Sequence, residues 1–164
     1  MARTGLHIYT DGSFKLEVGI TFAYQAYSAD HKVLVQQETV SLPASAIPHI
    51  LPLGSVAAEV MGVVRALEMA LKRGFRRITL HYDFIGIKSI LNYEFPCKSP
   101  VLRHYVERMR TLLKELTVFF NKVKGHSGVP GNDKVDYLCK FGHGKLARNS
   151  WVSWVYFTFP PQVA

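Results

Sequence analysis

The order in which two hydrophobic periodicities follow one another along these 164 residues leaves few folds open. Residues 5–12, Val18 to Tyr27 (VGITFAYQAY) and Lys32 to Leu42 (KVLVQQETVSL) are rich in β-branched and aromatic residues, with short polar turns such as Ser28-Ala29-Asp30-His31 between them. That pattern predicts an antiparallel meander of three strands. From Val56 to Arg73 the apolar positions Val60, Val63, Val64, Leu67, Ala70 and Leu71 switch to helical spacing, and Gly74 supplies the stop. A strand over Arg76 to Asp83, a short helix over Phe84 to Asn92 and an amphipathic helix over Val101 to Leu116 come next. A strand over Thr117 to Val123, a glycine-containing loop over Gly125 to Asn132 and a helix from Asp133 to Phe141 complete the pattern. The resulting order, β-β-β-α-β-α-α-β-α, predicts an α/β protein whose five-stranded mixed sheet opens with the meander, continues with parallel strands and is flanked by helices. Between meander and first helix, Pro43, Pro48 and Pro52 prevent a long helix or strand, while Ile47, Ile50, Leu51 and Leu53 predict a loop packed on the body.

A chain of this length suits a single domain over residues 1–164, with its core expected at about 5–141 and an aromatic extension over 142–164. The net charge of +8 is unevenly distributed. Residues 1–58 carry three Lys/Arg against four acids, and the remainder carries seventeen against eight. Such asymmetry suggests an anionic partner, nucleic acid above all. Cys97 and Cys139 form neither a disulfide framework nor a metal-ligand spacing, so a reducing, cytoplasmic setting is expected. No apolar run is long enough to span a bilayer, which predicts no membrane association.

Four acids stand where an ordinary solvated acid would not. Asp11 (in Ile8-Tyr9-Thr10-Asp11-Gly12-Ser13) and Asp83 close predicted strands, Glu59 sits among Val56, Ala57, Ala58, Val60 and Met61, and Asp136 lies between Val135 and Tyr137. Each alone has a bland explanation: a turn after a strand, a favourable charge near a helix N-terminus, or a surface acid. Together they would repel one another unless a cation joins them, and hard divalent ions take oxygen ligands and bring substrate phosphates. Four carboxylates beside a basic surface thus suggest two-metal hydrolysis of a phosphodiester.

With Thr10-Asp11-Gly12-Ser13, Ala58-Glu59 and Tyr82-Asp83, the run from Lys122 through Gly125-His126, Pro130 and Asn132 to Asp136 resembles type 1 ribonuclease H. The resemblance covers about residues 5–141. It implies endonucleolytic hydrolysis of the RNA strand of RNA–DNA hybrids, leaving 5′-phosphate and 3′-hydroxyl ends, by a monomer. It also implies two Mg²⁺ (or Mn²⁺) ions held by Asp11, Glu59, Asp83 and Asp136. His126 matches the loop histidine that assists catalysis or product release. Substrate contacts are expected from Gly12, Ser13, Ser55 and Lys124.

The chain departs from that pattern in two places. Where the family often has two asparagines before the helix glutamate, this chain has Ser55 and Val56. Discrimination of the 2′-hydroxyl is therefore expected from main-chain groups near Gly12, Ser13 and Ser55. The basic, Trp-bearing insertion of some members is also missing, since Asn92 to Ser99 holds only Lys98, and the helix carrying Arg103, Arg108 and Arg110 is expected to compensate. Trp151, Trp154, Tyr156, Phe157 and Phe159 lie beyond the resemblance and are expected to pack rather than to stack on bases. A non-enzymatic hybrid-binding module on the same fold is the alternative, and loss of one carboxylate would favour it. A different nuclease or recombinase of the superfamily fits the histidine-loop spacing less well.

Overall fold

The second strand is buried along nearly its whole length, and this tells where the helices must lie. In a computed structural model describing residues 5–92, 99–125, 128–142 and 149–161, β1 (Leu6–Lys15), β2 (Gly19–Ser28) and β3 (Leu34–Pro43) form the expected antiparallel meander. β4 (Arg77–Tyr82) pairs parallel to β1, and β5 (Thr117–Lys122) pairs parallel to β4. The strand order is β3-β2-β1-β4-β5. Eight consecutive residues of β2, Gly19 to Ala26, are buried, so both of its faces are covered. α1 (Ser55–Lys72) packs on β1 and β2, as does α4 (Pro130–Gly142). Leu6 and Ile8 join α1 in the hydrophobic core. The alternate residues of β1 face the other way, since an added Cβ on Gly131 of α4 would fall on the Tyr9 ring.

α1 is buried over most of its circumference, from Ala57 to Ala70, as a helix with neighbours on several sides must be. α3 (Pro100–Glu115) lies against it, and α2 (Gly86–Asn92) fills the corner between the two. Ser99 caps α3 by accepting a hydrogen bond from the Leu102 N–H at 3.4 Å. At the other end of this layer, Gly54 takes φ +53 to swing the chain from the proline-rich loop into α1.

The proline-rich segment forms two single turns of 3₁₀ helix, Ala44–Ala46 and Leu51–Leu53, with Ile47 and Ile50 fully buried. The aromatic segment, to which the sequence pattern assigned no secondary structure, is helical: α5 (Asn149–Thr158) follows α4. It packs, as the aromatic content led one to expect. Val155 and Phe159 are fully buried, Trp154 Nε1 donates to Glu68 Oε1 at 3.3 Å, and the Arg65 guanidinium lies 4.5 Å from the Trp151 ring centre. Tyr156 donates to the Ala46 carbonyl at 3.0 Å and the His49 ring bonds the Phe159 carbonyl at 2.8 Å. The proline-rich loop and α5 thus hold each other. No helix among the described residues is long and apolar enough to cross a membrane.

Two side chains two positions apart separate packing from exposure. Phe159→Ala is expected to cost about 3–5 kcal/mol, lowering the melting temperature by roughly 2–4 °C for each kcal/mol. Phe157 is 88% exposed, and Phe157→Ala should leave the melting curve in place when both variants are followed by circular dichroism.

Candidate active site

Parallel pairing of β1 with β4 matches Leu6 to Ile78 and Tyr9 to His81, and stops there. Two residues further on, the same register aligns Asp11 with Asp83, each on the face of its strand that Tyr9 and His81 occupy. Asp83 lies just past β4, as its sequence position suggested, but Asp11 does not end β1. The strand continues to Lys15 because β2 keeps pairing with it, Asp11 opposite Ala23 and Gly12 opposite Phe22. What ends beside Asp11 is its other neighbour.

Gly12, which reads in sequence as half of a turn, serves a close approach. A Cβ there would lie 2.4 Å from both the Ala58 carbonyl carbon and the Glu59 nitrogen. No side chain fits between β1 and the first turns of α1, and the missing side chain is what lets Glu59 reach the acids of the sheet. One carboxylate oxygen each from Asp11, Glu59 and Asp83 lie within 4.8 Å of one another. Asp11 is 5% and Glu59 8% exposed.

Burial pushes the Asp11 carboxyl up to about 7, the charge of Asp83 and contact with Asp136 adding to it, while the Glu59 hydrogen bond and the Gly12 N–H (2.9 Å from Oδ1) pull the other way. Burial also raises Glu59 well above the usual carboxylate range, with Asp11 next in importance. Glu59 Oε2 is buried without a hydrogen-bond partner among the described residues. Hard oxygen donors that crowd together, one of them the unpartnered Glu59 Oε2, suit a divalent cation such as Mg²⁺, so the residues present fit the ions that the resemblance implies.

Asp136 stands at the rim of this group. From α4 it reaches Asp11, but its Oδ2 accepts an ion pair from Lys140 Nζ at 2.9 Å, and it is not one of the three acids whose oxygens converge. α4 begins at Pro130, three residues before the expected start, because a proline suits a first helical position. This brings Asn132 onto the stripe of Asp136 and Lys140, four residues apart. Asn132 is 2% exposed, and its Nδ2 lies 3.5 Å from Asp83 Oδ2. It belongs to the motif that carried the resemblance, yet its contact with Asp83 was visible only in three dimensions. Cys139 fastens α4 to the same strand, its thiol donating to the Asp11 carbonyl at 3.3 Å.

Of the expected substrate-contacting residues, Gly12 and Ser13 follow Asp11 on β1, Ser55 is the first residue of α1, and Lys124 is exposed just after β5. His126 lies outside the described residues, but its neighbour Gly125 abuts the site: an added Cβ would be 3.3 Å from Asp83 Oδ2. On α3, Arg103 and Arg110 are exposed, whereas Arg108 pairs with Glu68 at 3.5 Å.

A family described as reverse transcriptase-like matches residues 44–124. Among solved structures, ribonuclease H1 from the halophilic archaeon Halobacterium salinarum superposes with a TM-score of 0.64 at 23% identity, over 82% of this chain and 93% of its own. The N-terminal ribonuclease H domain of a Mycobacterium tuberculosis protein gives 0.64 at 17% identity, over 82% and 95%. LC11-RNase H1, solved in complex with an RNA/DNA hybrid, gives 0.63 at 14% identity, over 84% and 98%. Over the shared length the fold of this chain matches that of these structures.

A raised carboxyl pKa in the folded state means that the fold binds a proton the unfolded chain has lost. Asp11 therefore subtracts from stability as pH rises from the usual carboxylate range to about 7. Asp11→Asn is expected to raise the melting temperature of the metal-free protein in EDTA at about pH 7.5 by several degrees and to have little effect near pH 4. Thermal melts at the two pH values check this.

Proposed function

We propose, from the premise that this chain is ribonuclease H-like in fold and of the type 1 pattern in its motifs, that it is an endonuclease. It hydrolyses the RNA strand of RNA–DNA hybrids and leaves 5′-phosphate and 3′-hydroxyl ends. The observation that carries this reading is the buried group of Asp11, Glu59 and Asp83, whose oxygens lie within 4.8 Å and whose Glu59 Oε2 is unpartnered among the described residues. In this reading Asp11, Glu59, Asp83 and Asp136 hold two Mg²⁺ or Mn²⁺ ions with the substrate, and the ions supply Lewis acidity at the scissile phosphate.

The chain's own groups divide the remaining work. The Gly12 N–H orients the Asp11 carboxylate and the Asn132 amide orients that of Asp83. Lys140 partly neutralises Asp136 and leaves it a softer hold on a cation than the three enclosed acids have. Main-chain groups at Gly12 and Ser13 and the Ser55 hydroxyl are the donors and acceptors for ribose 2′-hydroxyls, and Lys124 serves a phosphate. Arg103 and Arg110 supply the basic track of α3 without Arg108, whose charge is taken up by Glu68. His126, which in sequence follows the Gly125 that lies beside Asp83, is the residue proposed to assist at the scissile phosphate. In this reading its imidazole assists by passing a proton during the reaction or by helping the product phosphate leave.

Labelled RNA–DNA hybrid should be cut with Mg²⁺ or Mn²⁺ and left intact in EDTA, and Asp83→Asn should abolish the cleavage. Retention of near-wild-type rates by Asp83→Asn would remove the acids from the chemistry.

His126 and Asp136 should separate kinetically. His126→Ala is expected to lower turnover by about 10²–10⁴-fold while the Mg²⁺ concentration for half-maximal activity stays put. Asp136→Ala should move that midpoint upward. Metal titrations of both variants decide it, and equal displacement of the midpoint would make the histidine part of the metal site.

A further inference from the structure

On the same sheet face as Asp11 and Asp83, His81 of β4 one pleat back and His7 of β1 two pleats back converge with His31 of the β2–β3 turn. One ring nitrogen from each lies within 4.8 Å of the others. His7 Nδ1 and His81 Nε2 are 2.9 Å apart, and the His7 and His31 rings stack with centroids 3.8 Å apart. We propose that these three imidazoles form a second metal site, selective for a zinc-class divalent ion and separate from the carboxylate group that suits Mg²⁺.

The chemistry of the donors divides the two sites. Imidazole suits Zn²⁺ and its neighbours in the transition series, while carboxylates suit harder ions. Zn–N bonds of about 2.0–2.1 Å place tetrahedral ligand atoms about 3.4 Å apart. The 2.9 Å pair must open slightly and the third ring must move inward, both within the reach of side-chain rotation. The fourth position is left to water or to a ligand from solvent, on the side where His31 is exposed.

The surroundings hold the rings as ligand histidines are usually held, by a partner on the nitrogen that does not bind metal. His81 Nδ1 lies 2.8 Å from the Asn121 side-chain amide of the neighbouring strand, directly opposite in the register. With the carboxamide turned to present Oδ1, it accepts from Nδ1–H and leaves the Nε2 lone pair facing His7. The His7 ring donates to the Ala29 backbone. Tyr9 stacks on His81 with centroids 4.3 Å apart, and its hydroxyl lies 3.2 Å from His31 Nε2.

The turn itself is shaped to return the third ring to the sheet. His31 has φ +63, the only positive φ of a non-glycine residue among those described, a conformation that few side chains adopt unless the surroundings impose it. Its N–H donates to the Ser28 carbonyl at 2.8 Å. Ser28 Oγ donates to Asp30 Oδ1 at 2.6 Å, and Asp30 Oδ1 also accepts from the Lys32 N–H at 3.0 Å. A bound ion would tie this turn to β1 and β4, a bond between the outer and central parts of the sheet.

Co²⁺ and Zn²⁺ titrations of the full chain in excess Mg²⁺, which occupies the carboxylates, test the site without reference to nuclease activity. One equivalent of Co²⁺ should give the intense visible bands of a four-coordinate ion, and Zn²⁺ should displace it and raise the melting temperature. His31→Asn keeps a residue that tolerates positive φ and removes one donor. It should leave the metal-free melting temperature unchanged, weaken Zn²⁺ binding at least tenfold, an effect of about the size that loss of a mere supporting partner has, and abolish the visible bands. Absence of such bands in the wild type, or Zn²⁺ affinity that His31→Asn leaves intact, would overturn the proposal and reduce the cluster to aromatic packing.

Discussion

The contact on which the rest of the site depends is one between two backbones. At Gly12 the central strand and the first helix meet with no side chain between them, 2.4 Å being all that a Cβ would have. Any other residue would force α1 away from β1, and Glu59 would then sit too far from Asp11 for the two to share one environment. Because the helix does sit that close, it is enclosed by the sheet, α3 and α5, and a carboxylate in its first turns becomes a buried one. Burial then raises both the Asp11 and the Glu59 carboxyls, and the charge of Asp83 adds to each. The close packing that stabilises the fold creates a local excess of negative charge, which a cation relieves.

Register carries this arrangement across the sheet. The offset that pairs Tyr9 with His81 also aligns Asp11 with Asp83 and sets His7 diagonally against His81. One face of two parallel strands thereby holds an oxygen-donor group at one level and a nitrogen-donor group one pleat away on β4 and two on β1, with Tyr9 between them. α4 closes over the oxygen-donor level through Asn132, Asp136 and the Cys139 thiol. The loop that leads into α4 from β5 starts against Asp83, where an added Cβ on Gly125 would lie 3.3 Å from Oδ2.

Much of this was legible in the sequence wherever a signal was local. The β-branched and aromatic content of β2, the helical spacing of Val60, Val63, Leu67 and Leu71, and the stop at Gly74 each report on neighbours a few residues away. Asp11 was misplaced at a strand end because Asp-Gly is a turn signal locally, and only the pairing of Gly12 with Phe22 shows the strand continuing. α5 went unseen because its aromatic and β-branched residues favour strands, while the burial of Val155 and of Phe159 just past the helix, with Trp151 partly covered, depends on a surface made by α1 and the proline-rich loop. Asn132 and the three histidines were missed for a similar reason. His7, His31 and His81 have no metal-ligand spacing along the chain, and only the sheet register and the bent turn at His31 bring them together.

The central claim is that enclosure at Gly12 leaves the acid group partly protonated until a cation replaces the proton. Calorimetric titration of Mg²⁺ into the protein near pH 6.5, in buffers of different ionisation enthalpy, measures the protons set free per ion bound. With Asp11 raised to about 7 and Glu59 raised as well, the account predicts net proton release near pH 6.5 that diminishes as the pH is raised. Mg²⁺ binding with no proton release near pH 6.5 would mean that the carboxylates are already ionised and solvated. The account of the site built on their burial would then be wrong.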